Sequence, residues 1–224
     1  MSPHTSRHAE TVGVDQRILR VLLRAIATFR QSEQPEMYAH VHPHCHATAK
    51  LARAFAADLM HTDTYSDHTL DEIELGAHVH DIGKYLIPKS ILLKPGPLTA
   101  QERETVSRHP AYGTLILSNL CGMTDTANGI VLYHHERWDG TGYPEGLEGI
   151  RIPFAARLVA ICDVYTSLRA KRVYKPSLTR RKVALTMGEM AGRELDPRMV
   201  EDFFRFARAK QQDSRTSVHR DSSF

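Results

Sequence analysis

The helical period of this chain carries ionisable groups to positions where a core is expected. Ile73, Ala77 and His80 follow one another at i, i+4 and i+7, so His80 points inward, with Asp81 beside it. Ala127, Ile130 and His134 align in the same way, and His135 follows. Ala156, Val159 and Asp163 share a third face. An inward carboxylate without a partner costs several kcal/mol, comparable to the whole stability margin of a domain. A fold for this sequence must therefore gather these groups around one another or around a cation.

The remaining patterns are those of an all-α protein. Ile18, Leu22, Ile26 and Phe29 mark a short N-terminal helix behind a polar leader, together covering residues 1–37. His44, Thr48, Leu51, Phe55 and Leu59 mark a second helix, with His44 at its start and the tract His40, His42, His44, His46 ahead of it. Thr69-Leu70-Asp71-Glu72 and Thr99 with Glu102 read as capping boxes. Gly83 permits a turn after His80. Pro95-Gly96-Pro97 is a break, and Pro110 suits a first helical turn with His109 just ahead of it. Glu136 to Ile152, with Gly140, Gly142, Gly146 and Gly149, is a long loop, and Pro153 opens the next helix. Gly192 ends a later helix, and Asp196-Pro197 is a cap and first turn for the last one. Residues 38–210 form one domain, and 211–224 read as a disordered tail.

Bulk properties narrow the class. The chain has 224 residues and a net charge of +3, too balanced to indicate a nucleic-acid polymer as partner. No stretch is long and dry enough to span a membrane, and no signal core opens the chain. Cys45, Cys121 and Cys162 are far apart, which argues against a disulfide framework or a thiolate zinc site and for a reducing cytoplasm. The 14 histidines direct attention to metal.

His80, Asp81, His109, His134, His135 and Asp163 lie on four separate elements. His44 is the best placed member of its tract, the others reading as surface histidines. Imidazole and carboxylate without thiolate suit Fe, Mn, Co or Zn better than a closed structural zinc site. The set exceeds the needs of one ion, which favours two divalent transition-metal ions, with Asp81 as the natural bridge. Such a centre suits phosphodiester hydrolysis.

The chain resembles the HD-GYP family of metal-dependent phosphohydrolases. His80-Asp81-Ile82-Gly83-Lys84 is similar to its HD-x-x-K word, and His134-His135-Glu136-Arg137-Trp138-Asp139-Gly140-Thr141-Gly142-Tyr143-Pro144 to its signature. Ile87 to Leu92, Asp163-Val164, Arg172 to Lys175 and Leu195-Asp196-Pro197 resemble further family blocks, so the likeness runs from about Tyr38 to Phe206.

The resemblance implies a helical bundle around two or three metals, often Fe or Mn with Zn, Co or Ni as alternatives, and hydrolysis of cyclic di-GMP to the linear dinucleotide pGpG, GMP, or both. It implies that His44, His80, Asp81, His109, His134, His135 and Asp163 are metal ligands and that Lys84 contacts the scissile phosphate. Gly142, Tyr143, Pro144, Arg172 and Lys175 would bind substrate. Thr166 stands where many members have a second aspartate, and His40 where some have a glutamate that helps hold a third metal. Most relatives carry a sensory or receiver domain, which this sequence does not show; its activity is then constitutive or set by a partner. Two other readings stand beside this one. One is hydrolysis of another nucleotide, such as cyclic GMP-AMP. The other is a catalytically weak, cyclic-dinucleotide-binding signalling protein, acting as a homodimer or through a GGDEF-type partner.

Overall fold

The computed structural model describes residues 33–60, 70–118, 123–170 and 178–220. The expected N-terminal helix, Thr69, Cys121, Arg172 and Lys175 lie outside these residues. The described residues form helices α1 (Pro35–Met60), α2 (Leu70–Val79), α3 (Lys89–Leu92), α4 (Ala100–Ser107) and α5 (His109–Leu117). Helices α6 (Asp125–Tyr133), α7 (Phe154–Arg169), α8 (Arg180–Met190) and α9 (Pro197–Arg220) follow. One 3-10 turn, Ile82–Leu86, follows α2, and another, Gly149–Arg151, lies in the long loop. Among the described residues there is no strand, only the isolated bridges Asp139–Glu148 and Ala191–Leu195. The all-α expectation holds.

The α1 helix starts earlier than the sequence suggests. The histidine tract was expected ahead of the helix; it lies within it, with Pro43 inside. The reason is a buried stripe that extends upstream: Met37, Val41 and Cys45 continue the spacing of Thr48, Ala52, Phe55 and Leu59. Burying those side chains outweighs the backbone hydrogen bond lost at an exposed proline. The α9 helix likewise continues to Arg220, past the tail expected from Gln211. Once a segment is anchored, each further residue extends a helix without a new nucleation cost.

The anchor is aromatic. Phe203 meets Phe55 edge-on at 5.2 Å, and Phe206 lies 5.5 Å from the same ring, so α9 closes over α1. Leu158, Ile161, Val183 and Met187 complete this core. Asp196 starts α9 as expected: its Oδ1 accepts from the N–H groups of Arg198 and Met199, and its Oδ2 takes Arg157 at 2.5 Å. Thr99 and Glu102 form the expected capping box of α4. On the other side, Arg53 of α1 pairs with Asp71 and, at 3.1 Å, with Glu74 of α2.

Gly83 has a different role from the one expected. A turn explains little here, because its φ is not positive. Space is the constraint: a Cβ on Gly83 would lie 1.9 Å from the His109 carbonyl oxygen and 2.5 Å from the Gly113 nitrogen. The turn after α2 is thus pressed backbone to backbone against the start of α5. That contact sets His80 and Asp81 beside His109.

Candidate metal centre

Three helix ends and two helix interiors deliver the polar side chains to one place. His44 comes from α1, His80 and Asp81 from the end of α2, and His109 from the first residue of α5. His134 and His135 follow α6, and Asp163 lies on α7. Asp81, His109, His134 and His135 offer ligand atoms that all lie within 4.8 Å of one another. His44, His80 and Asp163 do the same. Asp81 stands between the groups: its Oδ1 is 3.2 Å from His109 Nε2 and 3.8 Å from His134 Nε2, while its Oδ2 is 3.5 Å from His80 Nε2. His44 Nε2 contacts Asp163 Oδ1 at 2.5 Å.

Three of the imidazoles are held in one tautomer. His80 Nδ1 donates to the Ala77 carbonyl at 2.7 Å, His109 Nδ1 to Val106 at 2.8 Å, and His134 Nδ1 to Val131 at 3.0 Å. A carbonyl only accepts, so each Nδ1 carries a proton and each ring turns its Nε2 inward. This is the usual way a protein orients a metal-binding histidine. His109 Nε2 and His134 Nε2 face each other at 3.2 Å. His80 Nε2 and Asp81 Oδ1 are buried and make no hydrogen bond. A cation satisfies all of these atoms at once, so the donor set fits one.

The electrostatics agree. Burial, reinforced by His135, His80 and His109, holds His134 well below the usual histidine range. Burial and His109 bring His135 down to about 3. Burial alone would raise Asp81, but Lys84, His80 and His109 outweigh it and hold the carboxyl well below its ordinary value. Burial would lower Lys84, yet Asp81 at 2.6 Å keeps its ammonium above the ordinary value. His134 and His135 are thus neutral and Asp81 ionised, as ligation requires. Burial lifts the Cys45 and Cys162 thiols well above their usual range. Cys45 lies within 4.8 Å of His80 and Asp81 as a protonated thiol.

The signature loop is built on the centre. Tyr143 stacks on His135 with ring centroids 4.9 Å apart, and its N–H donates to the His135 carbonyl. Burial, then Asp81 and Asp163, raise the Tyr143 phenol above its ordinary value, so it stays a donor. A Cβ on Gly142 would lie 2.3 Å from the Arg137 nitrogen, so the loop folds tightly on itself there. Pro144 follows through a cis bond.

Sequence reading assigned no role to Glu136. Its buried carboxylate accepts from the N–H groups of Glu145 at 2.7 Å and Leu147 at 3.0 Å, pinning the loop. Its burial belongs to the fold, and no pattern in the sequence announced it. Thr166 is also not aimed at the cluster. It donates to the Cys162 carbonyl at 2.9 Å and takes the Thr48 hydroxyl at 2.8 Å, tying α7 to α1. Beside Tyr143 a cleft of about 390 Å³ opens, lined by Leu98, Arg103, Glu104, Val106 and Ser107. No sequence pattern distinguished those residues from an exposed helix face.

A family model of the HD domain matches residues 33–199. The chain belongs to the HD-domain family. It carries the HD-GYP signature intact, and its His/Asp cluster could hold the divalent metals that HD-domain phosphohydrolases bind. It is 36% identical over 198 residues to a probable cyclic di-GMP phosphodiesterase of Vibrio cholerae serotype O1, covering 85% of this chain and 45% of that protein. It is 40% identical over 144 residues to 3'3'-cGAMP-specific phosphodiesterase 2 of the same organism, covering 64% of this chain and 28% of that protein. The chain spans less than half the length of the curated relatives it matches. Among solved structures it is similar to Bd1817, a HDG"Y"P protein from Bdellovibrio bacteriovorus, with a TM-score of 0.60 and 17% identity. That match covers 87% of this chain and 65% of the other, and speaks to the HD-type helical fold alone. Among the described residues, no helix is long and apolar enough to cross a membrane.

Proposed function

We propose that this HD domain is a metal-dependent phosphodiesterase that hydrolyses cyclic di-GMP to pGpG, GMP, or both. The carrying observation is the convergence of His109 Nε2 and His134 Nε2, 3.2 Å apart, on the ionised, buried Asp81. His44, His80 and Asp163 would hold one ion, and His109, His134 and His135 a second, with Asp81 shared between them. Fe or Mn suits such a nitrogen and oxygen set. When bound, the ions neutralise phosphate oxygens and make a water nucleophilic near neutral pH.

The chain's own groups supply the rest. Lys84 sets an ammonium at the rim of the centre, where it meets the negative charge that grows on a phosphate during attack. The Tyr143 phenol donates a hydrogen bond or offers its ring to a base. The cleft beside it seats one nucleoside of the substrate. Arg172 and Lys175 complete the proposed phosphate contacts, and Gly142 and Pro144 shape the loop that presents Tyr143. The catalytic unit is proposed to be 38–210. The two buried free thiols, Cys45 and Cys162, support a cytoplasmic setting.

The similarity to a cGAMP-specific enzyme favours one second reading, in which the mixed cyclic dinucleotide is the substrate. The test is an assay of metal-replete protein against cyclic di-GMP, 3'3'-cGAMP and cyclic di-AMP, with products separated by chromatography. Cyclic di-GMP should be turned over fastest. Faster loss of 3'3'-cGAMP would establish the second reading, and tight binding with no product from any of the three would sink both.

A further inference from the structure

The histidine tract on α1 divides between two faces. Residues two apart on a helix point about 200° from each other. His44 faces inward to Asp163, so His42 and His46 face outward together. The end of α2 does the same: His80 turns into the centre and His78 away from it. The outward histidines meet. His46 Nδ1 lies 3.1 Å from His78 Nε2, across 32 residues of sequence, with the rings edge to face at 5.3 Å. His78 Nδ1 contacts the Glu74 carbonyl at 3.2 Å, so its Nε2 lone pair is the one aimed at His46. His42, one turn before His46, has its ring nearly parallel to that of His46 at 6.0 Å.

We propose that His46 and His78, with His42 as a third donor, form a separate site for a borderline-soft divalent metal ion such as Zn2+ on the outer face of the α1–α2 pair. Two imidazoles sharing a tetrahedral zinc ion place their nitrogens about 3.4 Å apart, close to the separation found. The Glu74 carbonyl orients His78 as carbonyls orient histidines inside the centre. The His42 ring stacks on Tyr38 at 4.4 Å and would join by a rotamer change, as suits a histidine pair spaced i, i+4 on one helix. His46 is exposed and His42 and His78 are half-exposed, which leaves coordination positions for water and makes the ion exchangeable. Its effect is mechanical: it cross-links the two helices that carry His44 and His80, at positions two residues from each. The site does not depend on which nucleotide the protein hydrolyses.

The experiment is equilibrium dialysis of the full chain against Zn2+, followed by elemental analysis, for the parent, the His46→Gln/His78→Gln double variant and His42→Gln. The parent should hold one more Zn2+ equivalent per chain than the double variant. His42→Gln should keep that equivalent but release it to a weaker chelator. Adding Zn2+ to protein whose centre is already loaded should raise the melting temperature of the parent and leave the double variant unmoved. Equal equivalents in parent and double variant would overturn the site. So would a double variant that loses more than one equivalent, because the residues would then belong to the centre.

Discussion

Lys84 Nζ lies 2.6 Å from Asp81 Oδ2, and the carboxylate thus serves an ammonium with one oxygen and faces His109 with the other. The two residues are separable by function. Asp81→Asn removes the charge that holds cations and should strip metal from the purified protein. Lys84→Met should retain the metal yet lower kcat about 100-fold, the typical loss when one donor to developing charge is removed. Elemental analysis and initial rates on both variants check this; a Lys84→Met protein at the parental rate would remove Lys84 from the chemistry.

Metal should also stabilise the fold. Without it, His80 Nε2 and Asp81 Oδ1 stay unsatisfied in the core. An ion that binds only the folded chain adds about 2.7 kcal/mol at a hundredfold excess over its Kd. A chelator should lower the melting temperature by several degrees and added Mn2+ restore it, followed by differential scanning fluorimetry. An unchanged melting temperature would mean that the cluster holds nothing.

Gly83→Ala should be among the most damaging small substitutions in the chain. Its methyl would meet the His109 carbonyl and the Gly113 nitrogen, which are backbone and have little room to yield. The expected cost is about 3 kcal/mol or more, at the upper end for overpacking. Urea unfolding with an unchanged m-value is the measurement, and a midpoint equal to the parent's contradicts the close approach.

Glu136→Gln keeps the shape of the side chain but turns an acceptor into a donor facing the Glu145 and Leu147 N–H groups. Leaving such groups unsatisfied costs about 1–3 kcal/mol. That loss falls on the loop that carries Tyr143, so KM should rise more than kcat falls, and limited proteolysis should cut between 140 and 146 sooner. Parental KM and cleavage rates would show that the loop is held otherwise.

Thr166→Val tests whether the absence of an aspartate there matters to metal. The hydroxyl ties Thr48 to α7 and does not point at the cluster, so its loss should cost about 1 kcal/mol and leave metal content unchanged. A drop in bound metal would make Thr166 part of the centre.

The fold and the convergence of the candidate ligand residues were legible because both rest on periodicity. Ile73, Ala77 and His80 share a face in the sequence and are all fully buried in the structure. Pro110 sets the start of α5 and with it His109. What escaped reading depends on contacts between distant segments. The tract His40 to His46 read as lying ahead of α1 because its spacing is local, whereas the stripe of Met37, Val41 and Cys45 that carries the helix through it depends on what α1 packs against. Gly83 read as a turn because the His109 carbonyl lies 26 positions on and no local pattern places it there. Glu136 and the meeting of His46 with His78 were hidden for the same reason.

The 2.5 Å contact between His44 and Asp163 spans 119 residues, most of the domain. During synthesis the first donor emerges long before the last, and the proposed cradle of His44, His80 and Asp163 has no closing wall until α7 has left the ribosome. Filling that cradle is therefore a late event in the life of each molecule. A chain truncated anywhere before residue 163 would be born with it open.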